Sequence, residues 1–200
     1  MSRTRILRQE DPETTRLLAE GWVVAGESWG ARLEAGEQDL PRLDALAAAL
    51  PQGYRLCVLT ADDAADIAAL DRATHADYPI GAAVFHDAVD AAGARALTER
   101  GVVHGVRTAS EELVAMTAAH DTGTLVETEF TAVHPAHRRR RLAVAVKAAS
   151  VAAGVRAGHR RFGTGGAQVN AGSLAMNRAV GYDVTERWVT LVPPTATSGG

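Results

Sequence analysis

Two glutamates on one predicted strand are the first candidates for chemistry. Glu127 and Glu129 lie in the segment TLVETEFTAV, which is long enough to be a central strand. Because successive side chains of a strand point to opposite faces, we expect both carboxylates to share a face with Thr131, opposite Phe130. Carboxylates inside a sheet are costly unless they are paired or face a cleft. On a cleft, such a carboxylate can take a proton from an attacking nucleophile.

The same glutamates also have a structural interpretation. A cation on a neighbouring strand, such as Arg107, would pair with either carboxylate across the sheet. Perturbed carboxylates occur both in catalytic sites and in structural ion pairs. The sequence leaves these two roles open.

Four consecutive arginines form a second candidate site. Arg138–Arg141 begin a predicted helix that continues to Arg156, and Pro135 keeps the preceding turn out of helical conformation. The start of a helix presents unpaired N–H groups and the positive end of its dipole. Arginines at that position add bidentate donors, so the pattern of strand, turn, arginines and helix predicts a pyrophosphate-binding turn. The Gly-Lys-Ser signature of a Walker loop is missing.

Other interpretations of the arginines are nucleic-acid binding, targeting and a solvated helix start. The formal net charge is −3, whereas nucleic-acid-binding proteins usually present a broad basic surface. The start of the chain has no apolar stretch before its acidic cluster, and the longest apolar segment, which Lys147 interrupts, is too short to span a bilayer. We therefore expect a cytoplasmic protein that binds neither nucleic acid nor membrane. A solvated helix start stays the structural alternative.

His134 and His137 are spaced like a metal-binding pair. Pro135 breaks helical spacing between them, and no carboxylate or cysteine ligands surround them in the sequence. We expect these histidines to cap the turn or to face solvent, and we predict no metal site.

The elements around these residues indicate an α/β (α+β) fold. From residue 54 onward the pattern is a strand, two helices, three strands, the helix after the arginines, the short strand RRFGTG, a helix that ends at Gly181, and a closing strand. Hydrophobic residues make up 46% of the 200 residues and aromatic residues only 4%, so we expect a core of small aliphatic side chains.

Residues 1–52 form a predicted appended αβ segment. Its run GWVVAGESW, residues 21–29, parallels GYDVTERW, residues 181–188, and each follows a short helix. We interpret the segment as a truncated repeat of the domain's closing half. It would cover the acceptor side, complete the sheet or mediate dimerisation, so a homodimer stays open. We expect residues 194–200 to be a disordered tail.

Two motifs resemble those of the GNAT superfamily of acyl-CoA-dependent N-acetyltransferases. The first, V-x-P-x-x-(Q/R)-x-x-G-x-(G/A), is matched by Val133, Pro135, Arg138, Leu142 and Ala143. The second, N-x-x-x-x-x-(M/L)-(N/Y)-x-x-x-G-(F/Y), is matched by Asn170, Met176, Asn177, Gly181 and Tyr182. The resemblance implies a GNAT-like domain at residues 53–193 with a mixed, mostly antiparallel central sheet flanked by helices.

The resemblance also implies a binding site for acetyl-CoA as co-substrate. The backbone that would pair with the pantetheine arm belongs to Thr131, Ala132 and Val133. The loop whose N–H groups would hold the pyrophosphate comprises Arg138, Arg139, Arg140, Arg141, Leu142 and Ala143. Asn170 would bond the pantetheine arm and Asn177 would lie near the thioester, although Asn170 alone is also a typical helix cap.

The expected activity is acetyl transfer to a primary amine of a small molecule or a peptide, by direct attack in a ternary complex. Glu127 lies six residues before Val133, the spacing at which histone-acetylating members place their catalytic glutamate. It is therefore the first choice as base, with Glu129 as substitute or substrate-binding partner. Arg141 stands where the family has glycine, and Asn177 stands where many members have a tyrosine general acid. These departures favour the alternative, a catalytically weakened acyl-CoA-binding regulatory module.

Overall fold

The eight strands of the described residues join one sheet. The computed structural model describes residues 4–78 and 86–194. The strands are β1 Arg5–Arg8, β2 Val23–Glu34, β3 Tyr54–Leu59, β4 Val102–Thr108, β5 Leu113–Asp121, β6 Val126–Val133, β7 Arg161–Ala167 and β8 Asp183–Val192. Their order is β1-β8-β2-β7-β6-β5-β4-β3, and every neighbouring pair except β6 and β7 is antiparallel. The predicted mixed, mostly antiparallel sheet is confirmed.

In the part of the chain that the structure describes, six α-helices flank this sheet. They are α1 Pro12–Ala19, α2 Leu40–Ala48, α3 Ala64–Thr74, α4 Ala91–Arg100, α5 Leu142–Arg156 and α6 Ala171–Val180. Local sequence signals set their ends: Asp11, Asp90 and Asn170 accept backbone N–H bonds as N-caps of α1, α4 and α6. Gly181 ends α6 with a φ of 113°, a conformation that glycine adopts without strain.

The start of α5 differs from the prediction. The four arginines precede the helix, which begins at Leu142. Arg139 and Arg141 both have a φ of 64°. This left-handed conformation is incompatible with a continuous right-handed helix, so the run forms a turn and not a first helical turn.

The helices cover the two halves of the sheet unequally. A core cluster joins α2, α5 and α6 to β2 and β7 through residues such as Trp29, Leu43, Val151 and Phe162. A second cluster places α3 and α4 on the other face, over β4, β5 and β6. A cleft lies over β2, β7 and β8, on the same face of the sheet that carries α3 and α4.

The N-terminal segment completes the sheet, which was one of its three expected roles. β2 lies inside the sheet between β7 and β8, and β1 pairs with β8 at the edge. The boundary between residues 52 and 53, the truncated repeat and the homodimer stay predictions. The expected tail lies outside the described residues apart from Pro194. Within the ranges 4–78 and 86–194, no helix is both long and apolar enough to cross a membrane.

Candidate active site at the β6–β7 seam

β6 and β7 are paired over only two positions. Val126 pairs with Phe162 and Glu127 with Gly163 in parallel register, and beyond these positions the strands diverge. A cleft of about 500 Å³ lies at this seam. Its lining includes Glu127 and Glu129 from β6, Arg32 from β2, and Glu186 and Trp188 from β8.

A β-bulge in β6 changes the expected orientation of the glutamates. Ala118 faces Phe130 and Ala119 faces Thr128, so Glu129 is an extra residue between the two pairs. Phe130 consequently packs in the α3–α4 cluster, whereas Thr128 contacts Lys147 on α5. The prediction that Thr131 shares a face with the glutamates is therefore wrong, because the bulge interrupts the two-residue alternation, whereas Glu127 and Glu129 both line the cleft.

Glu127 is the free carboxylate of the cleft. It is half-buried, and its carboxylate accepts no hydrogen bond from the described part of the chain. Burial raises its pKa, while the charges of Arg32 and Lys147 oppose that shift. A side chain at position 163 would overlap Glu127 Oε2, so Gly163 provides the space that the carboxylate occupies.

Glu129, by contrast, is held in an ion pair. Arg100 from α4 donates to Glu129 Oε1 from Nε at 3.0 Å and from Nη2 at 2.6 Å. His120 Nδ1 lies 3.0 Å from the same oxygen. The expected alternative partner, Arg107, instead bonds Asp63 at 2.6 Å. Arg107 was thus the wrong partner, and the structural role applies to Glu129 through Arg100.

Sequence reasoning did not identify the charged residues opposite Glu127 in the cleft. Arg32 Nη2 lies 3.3 Å from Glu186 Oε1, and Arg8 Nη2 lies 3.4 Å from the same atom. Trp188 Nε1 donates to Glu186 Oε2 at 3.2 Å. These residues come from β1, β2 and β8, so no local spacing in the sequence links them to Glu127.

Lys147, the single lysine of the chain, lies directly behind the seam. It is 1% exposed, and its Nζ donates to Thr128 Oγ1 on β6 at 2.6 Å and to Thr164 Oγ1 on β7 at 3.2 Å. Burial lowers its pKa to about 7, and the Glu127 charge opposes the shift. Lys147 therefore bridges the strands just past their last paired residues. The only signal in the sequence was a single charge inside the apolar stretch LAVAVKAASVAAGV.

The arginine turn has the features of an anion site. All four arginines are exposed, and in the described ranges no backbone acceptor takes the N–H groups of Arg139, Arg140 and Arg141. The first N–H groups of α5, including those of Leu142 and Ala143, point the same way by helix geometry. Successive N–H groups around a left-handed residue form an anion-binding concavity. Arg141 takes this conformation, which favours glycine, at a cost of about 1–2 kcal/mol.

Arg138 is placed differently from the other three arginines. Its Nη2 pairs with Asp77 at 2.5 Å, and its Nε donates to Val133 O at 3.2 Å. No acidic side chain of the described residues pairs with Arg139, Arg140 or Arg141. Arg138 therefore fastens the turn to the strand end, and the other three are available to an anion.

The end of β6 presents a free backbone edge towards the opening. His134 N donates to Val114 O on β5. Because backbone groups alternate in direction along a strand, those of Ala132 also face β5, and those of Thr131 and Val133 face the opening. Tyr78 OH donates to Thr131 O at 3.3 Å, and Arg138 takes Val133 O. The N–H groups of Thr131 and Val133 remain directed at the opening.

One predicted asparagine, Asn170, precedes α6 as its N-cap, and the other, Asn177, lies within this helix. Asn170 caps this helix by accepting from Ser173 N at 3.0 Å, as its alternative interpretation states. Asn177 is 1% exposed, and its Nδ2 donates to Ser173 O at 3.0 Å. Among the described residues, no group donates to its buried Oδ1. Contact of either side chain with a cofactor stays a prediction.

The histidine pair beside the arginine turn has a carboxylate neighbour after all. His134 Nδ1 caps the turn by accepting from Ala136 N at 3.3 Å, as predicted, and His137 Nδ1 lies 2.9 Å from Tyr54 OH. Glu112, before β5, brings a carboxylate oxygen to within 4.8 Å of both imidazoles. The expectation that no carboxylate surrounds this pair is wrong, because strand pairing joins segments that are distant in the sequence.

Comparison with known proteins identifies the fold. No protein-family model matches the chain, and no curated protein is similar to it in sequence. A tandem GNAT protein from the clavulanic acid biosynthesis pathway aligns with a TM-score of 0.67 and 21% identity, over 97% of this chain and 65% of its own. A GCN5-related N-acetyltransferase from Sphaerobacter thermophilus aligns with a TM-score of 0.72 and 14% identity, over 96% and 59% of the two chains.

A smaller protein aligns with this chain over nearly its whole length. It is a Salmonella typhimurium protein described as an acetyltransferase and solved with its cofactor acetyl-CoA, with a TM-score of 0.58 and 16% identity, over 74% of this chain and 98% of its own. The chain spans less than two thirds of the two larger proteins. It has the fold of the GCN5-related N-acetyltransferases, as the motifs predicted.

Proposed function

We propose that the protein transfers an acetyl group from acetyl-CoA to a primary amine of a small molecule or a peptide. The observation that carries this proposal is the seam itself. A half-buried carboxylate that accepts no hydrogen bond from the described residues faces a cleft at the point where β6 and β7 diverge, and the free edge of β6 leads from there to the arginine turn. An acyl-CoA needs these two features at the two ends of one site, since its thioester reacts at one end and its phosphates are held at the other.

The residues of the turn fit a pyrophosphate. Their unpaired N–H groups and the side chains of Arg139, Arg140 and Arg141 would hold the phosphates. The N–H groups of Thr131 and Val133 would bond the pantetheine arm, whereas their carbonyl oxygens accept from Tyr78 and Arg138. The co-substrate supplies an acetyl group that is activated as a thioester.

Glu127 is the proposed general base. An ammonium group must lose a proton before its nitrogen can attack a carbonyl, and burial, which raises the pKa of Glu127, makes this carboxylate a stronger base than an exposed glutamate. The nitrogen forms the new C–N bond, its proton passes to Glu127 directly or through water, and the C–S bond breaks. The thiolate of coenzyme A leaves and takes up a proton from solvent.

The charges of the cleft support an amine as acceptor. Glu127, Glu129 and Glu186 line the cleft; Glu129 is within ion-pair distance of Arg100, and Glu186 of Arg32 and Arg8, whereas no arginine of the described residues lies within ion-pair distance of Glu127. A cationic amine would therefore be attracted to Glu127, and Trp188 offers an apolar surface beside it.

The second candidate is a regulatory module that binds acyl-CoA with weak or no turnover. The burial of Asn177 favours it, since an amide that is enclosed in the core and bonded within its own helix supplies no proton to a leaving thiolate.

Titration of the full chain with acetyl-CoA and, separately, with coenzyme A tests the proposal. We expect micromolar dissociation constants for both, because the phosphates supply most of the contacts. An amine library with detection of the released thiol then separates the two candidates, since only an enzyme releases thiol in an amine-dependent way. Failure to bind either compound would refute both candidates.

A further inference from the structure

We propose that Asp71, His75 and His86 form a binding site for one divalent transition-metal ion, with zinc as the best match. One ligand atom of each residue lies within 4.8 Å of the other two. The three residues are outside the cleft and outside the arginine turn, so the argument for this site does not rest on the proposed acetyl transfer.

The local fold brings the three side chains together. Asp71 lies in the last turn of α3, and a 3-10 turn, His75–Asp77, continues the helix. Residues four apart on a helix share one side, so Asp71 and His75 point in the same direction. His86 approaches from the segment before α4, and its ring centroid lies 5.8 Å from that of His75.

Two of the ligands are held in place by their neighbours. Asp71 is 1% exposed, and its Oδ2 accepts from Val89 N at 2.8 Å, which leaves Oδ1 facing His86 Nε2 at 2.5 Å. The ring of His86 stacks on that of Tyr78, with 4.2 Å between the ring centroids, and its centroid lies 4.5 Å from that of Phe130. Such second partners orient metal ligands and contribute to affinity.

The buried carboxylate of Asp71 needs a cation or a proton to compensate its negative charge. Among the described residues, the only ionisable group within ion-pair distance of Asp71 is His86. The negative charge also affects Tyr78, whose pKa is raised by burial and, second, by Asp71. A divalent ion would compensate the buried carboxylate and bond both imidazoles in their neutral form.

The ligand set selects the metal. Two imidazoles and one carboxylate are the ligands of many zinc sites with an open fourth position. Tetrahedral bonds to zinc separate neighbouring ligand atoms by about 3.3 Å. Side-chain rotation of the exposed His75 and a small opening of the pair between Asp71 and His86 would give this spacing.

A bound ion would connect α3 to the segment that leads into α4. Tyr78, which stacks on His86, also donates to Thr131 O at the free edge of β6. Metal binding would therefore stabilise the position of Tyr78 beside the seam.

The second histidine cluster is the natural competitor. Glu112 is exposed, and among the described residues nothing bonds to its carboxylate to orient it. One nitrogen of His134 and one of His137 are already engaged, by Ala136 N and by Tyr54 OH. We expect this cluster to bind zinc more weakly than Asp71, His75 and His86, because a ligand without second partners loses more freedom on binding.

Zinc titration of the chelator-treated full chain tests the proposal, with cobalt absorption as a second readout. We expect one tight site per chain, a visible cobalt spectrum of four-coordinate type, and a rise in melting temperature with zinc. His75→Ala should lower the affinity at least about 10-fold, and since His75 is exposed, this variant should keep the fold. His159→Ala, in the turn after α5, is the matched control and should leave zinc binding unchanged.

The competing outcomes are distinct. Absence of a tight site would mean that Asp71 and His86 are only an ion pair. Binding that persists in His75→Ala but disappears in the double variant His134→Ala, His137→Ala would assign the ion to the other cluster. Either result overturns the proposal, and neither depends on turnover or on acetyl-CoA.

Discussion

The two halves of the sheet differ in how they are covered. Strands β3 to β6 have α3 and α4 on one face and α5 on the other. Strands β7, β2, β8 and β1 have helices packed on one face, and the other face lines the cleft. The halves meet at two residue pairs between β6 and β7. A cleft forms at this seam because the layer made by α3 and α4 ends there. On that face, β7, β2 and β8 are left uncovered.

The contrast between Glu127 and Glu129 follows from this arrangement. Glu129 lies close enough to the covered half to be paired by Arg100 from α4. Glu127, two residues earlier, lies across from Gly163, which has no side chain. Two glutamates on one strand thus have different partners because each lies next to a different half of the sheet.

The largest expected effect comes from removing the free carboxylate. Glu127→Gln should lower the rate of thiol release by about 10²–10⁴-fold, the usual contribution of a general base, and leave the dissociation constant of acetyl-CoA nearly unchanged. Because burial raises the pKa of Glu127, the wild-type rate should fall as the pH drops through that raised value. The variant should lack this titration. Unaltered turnover would exclude Glu127 as the base.

Filling the seam should have the next largest effect. In Gly163→Ala the new methyl group must displace the Glu127 carboxylate, so we expect a loss of turnover of about 10-fold or more; because the displaced group is the flexible end of a side chain, the destabilisation should not exceed about 1 kcal/mol. Gly26→Ala in β2 is the control, because a methyl group there meets nothing within 4 Å. Comparable effects in both variants, measured by thiol release and urea unfolding, would contradict the proposed contact.

The double variant Arg139→Ala, Arg140→Ala tests the other end of the site. Loss of charge-assisted bonds to phosphate should weaken binding of acetyl-CoA and of coenzyme A about 10-fold each, since both compounds carry the pyrophosphate. Arg95→Ala, an exposed arginine on α4, should bind as the wild type does. Calorimetry that finds equal affinities in the double variant and in the control would remove the turn as a phosphate site.

The buried lysine makes stability depend on pH. An unfolded chain keeps this lysine protonated up to about pH 10.5, whereas its pKa in the folded chain is about 7. Between these values the unfolded state binds more protons, so the free energy of unfolding should rise with pH, by at most about 1.4 kcal/mol per unit. Lys147→Met should remove this slope.

Nuclear magnetic resonance offers a direct check of the same prediction. Lysine labelled with ¹³C gives one side-chain signal, because Lys147 is the single lysine of the chain. We expect this signal to titrate near pH 7. A midpoint near 10 would show that Lys147 stays charged behind the seam.

The smallest effect is expected at the paired glutamate. Arg100 is largely exposed, and exposed ion pairs contribute about 0–1 kcal/mol. Arg100→Ala should therefore change the free energy of unfolding by less than about 1 kcal/mol and turnover by less than about threefold. If turnover instead fell as far as in Glu127→Gln, the functional difference between the two glutamates would be disproved.

The sequence by itself determined the order of the elements and where several of them begin or end. Asp11, Asp90 and Asn170 cap helices, Pro135 interrupts the chain after β6, and Gly181 ends α6. These signals act over a few residues, so they can be read without knowing which strands become neighbours. Glu127 was chosen as the candidate base from the resemblance to the GNAT superfamily, because it lies six residues before Val133.

The tertiary structure alone decided what surrounds that base. The bulge at Glu129 depends on the pairing of β5 with β6, and the insertion of β2 between β7 and β8 brings Arg32 and Glu186 to the cleft. Lys147 reaches Thr128 and Thr164 only because α5 packs across two diverging strands. The physical reason is the same in each case: ion pairs, burial and strand register arise between segments far apart in the chain, where no short-range pattern records them.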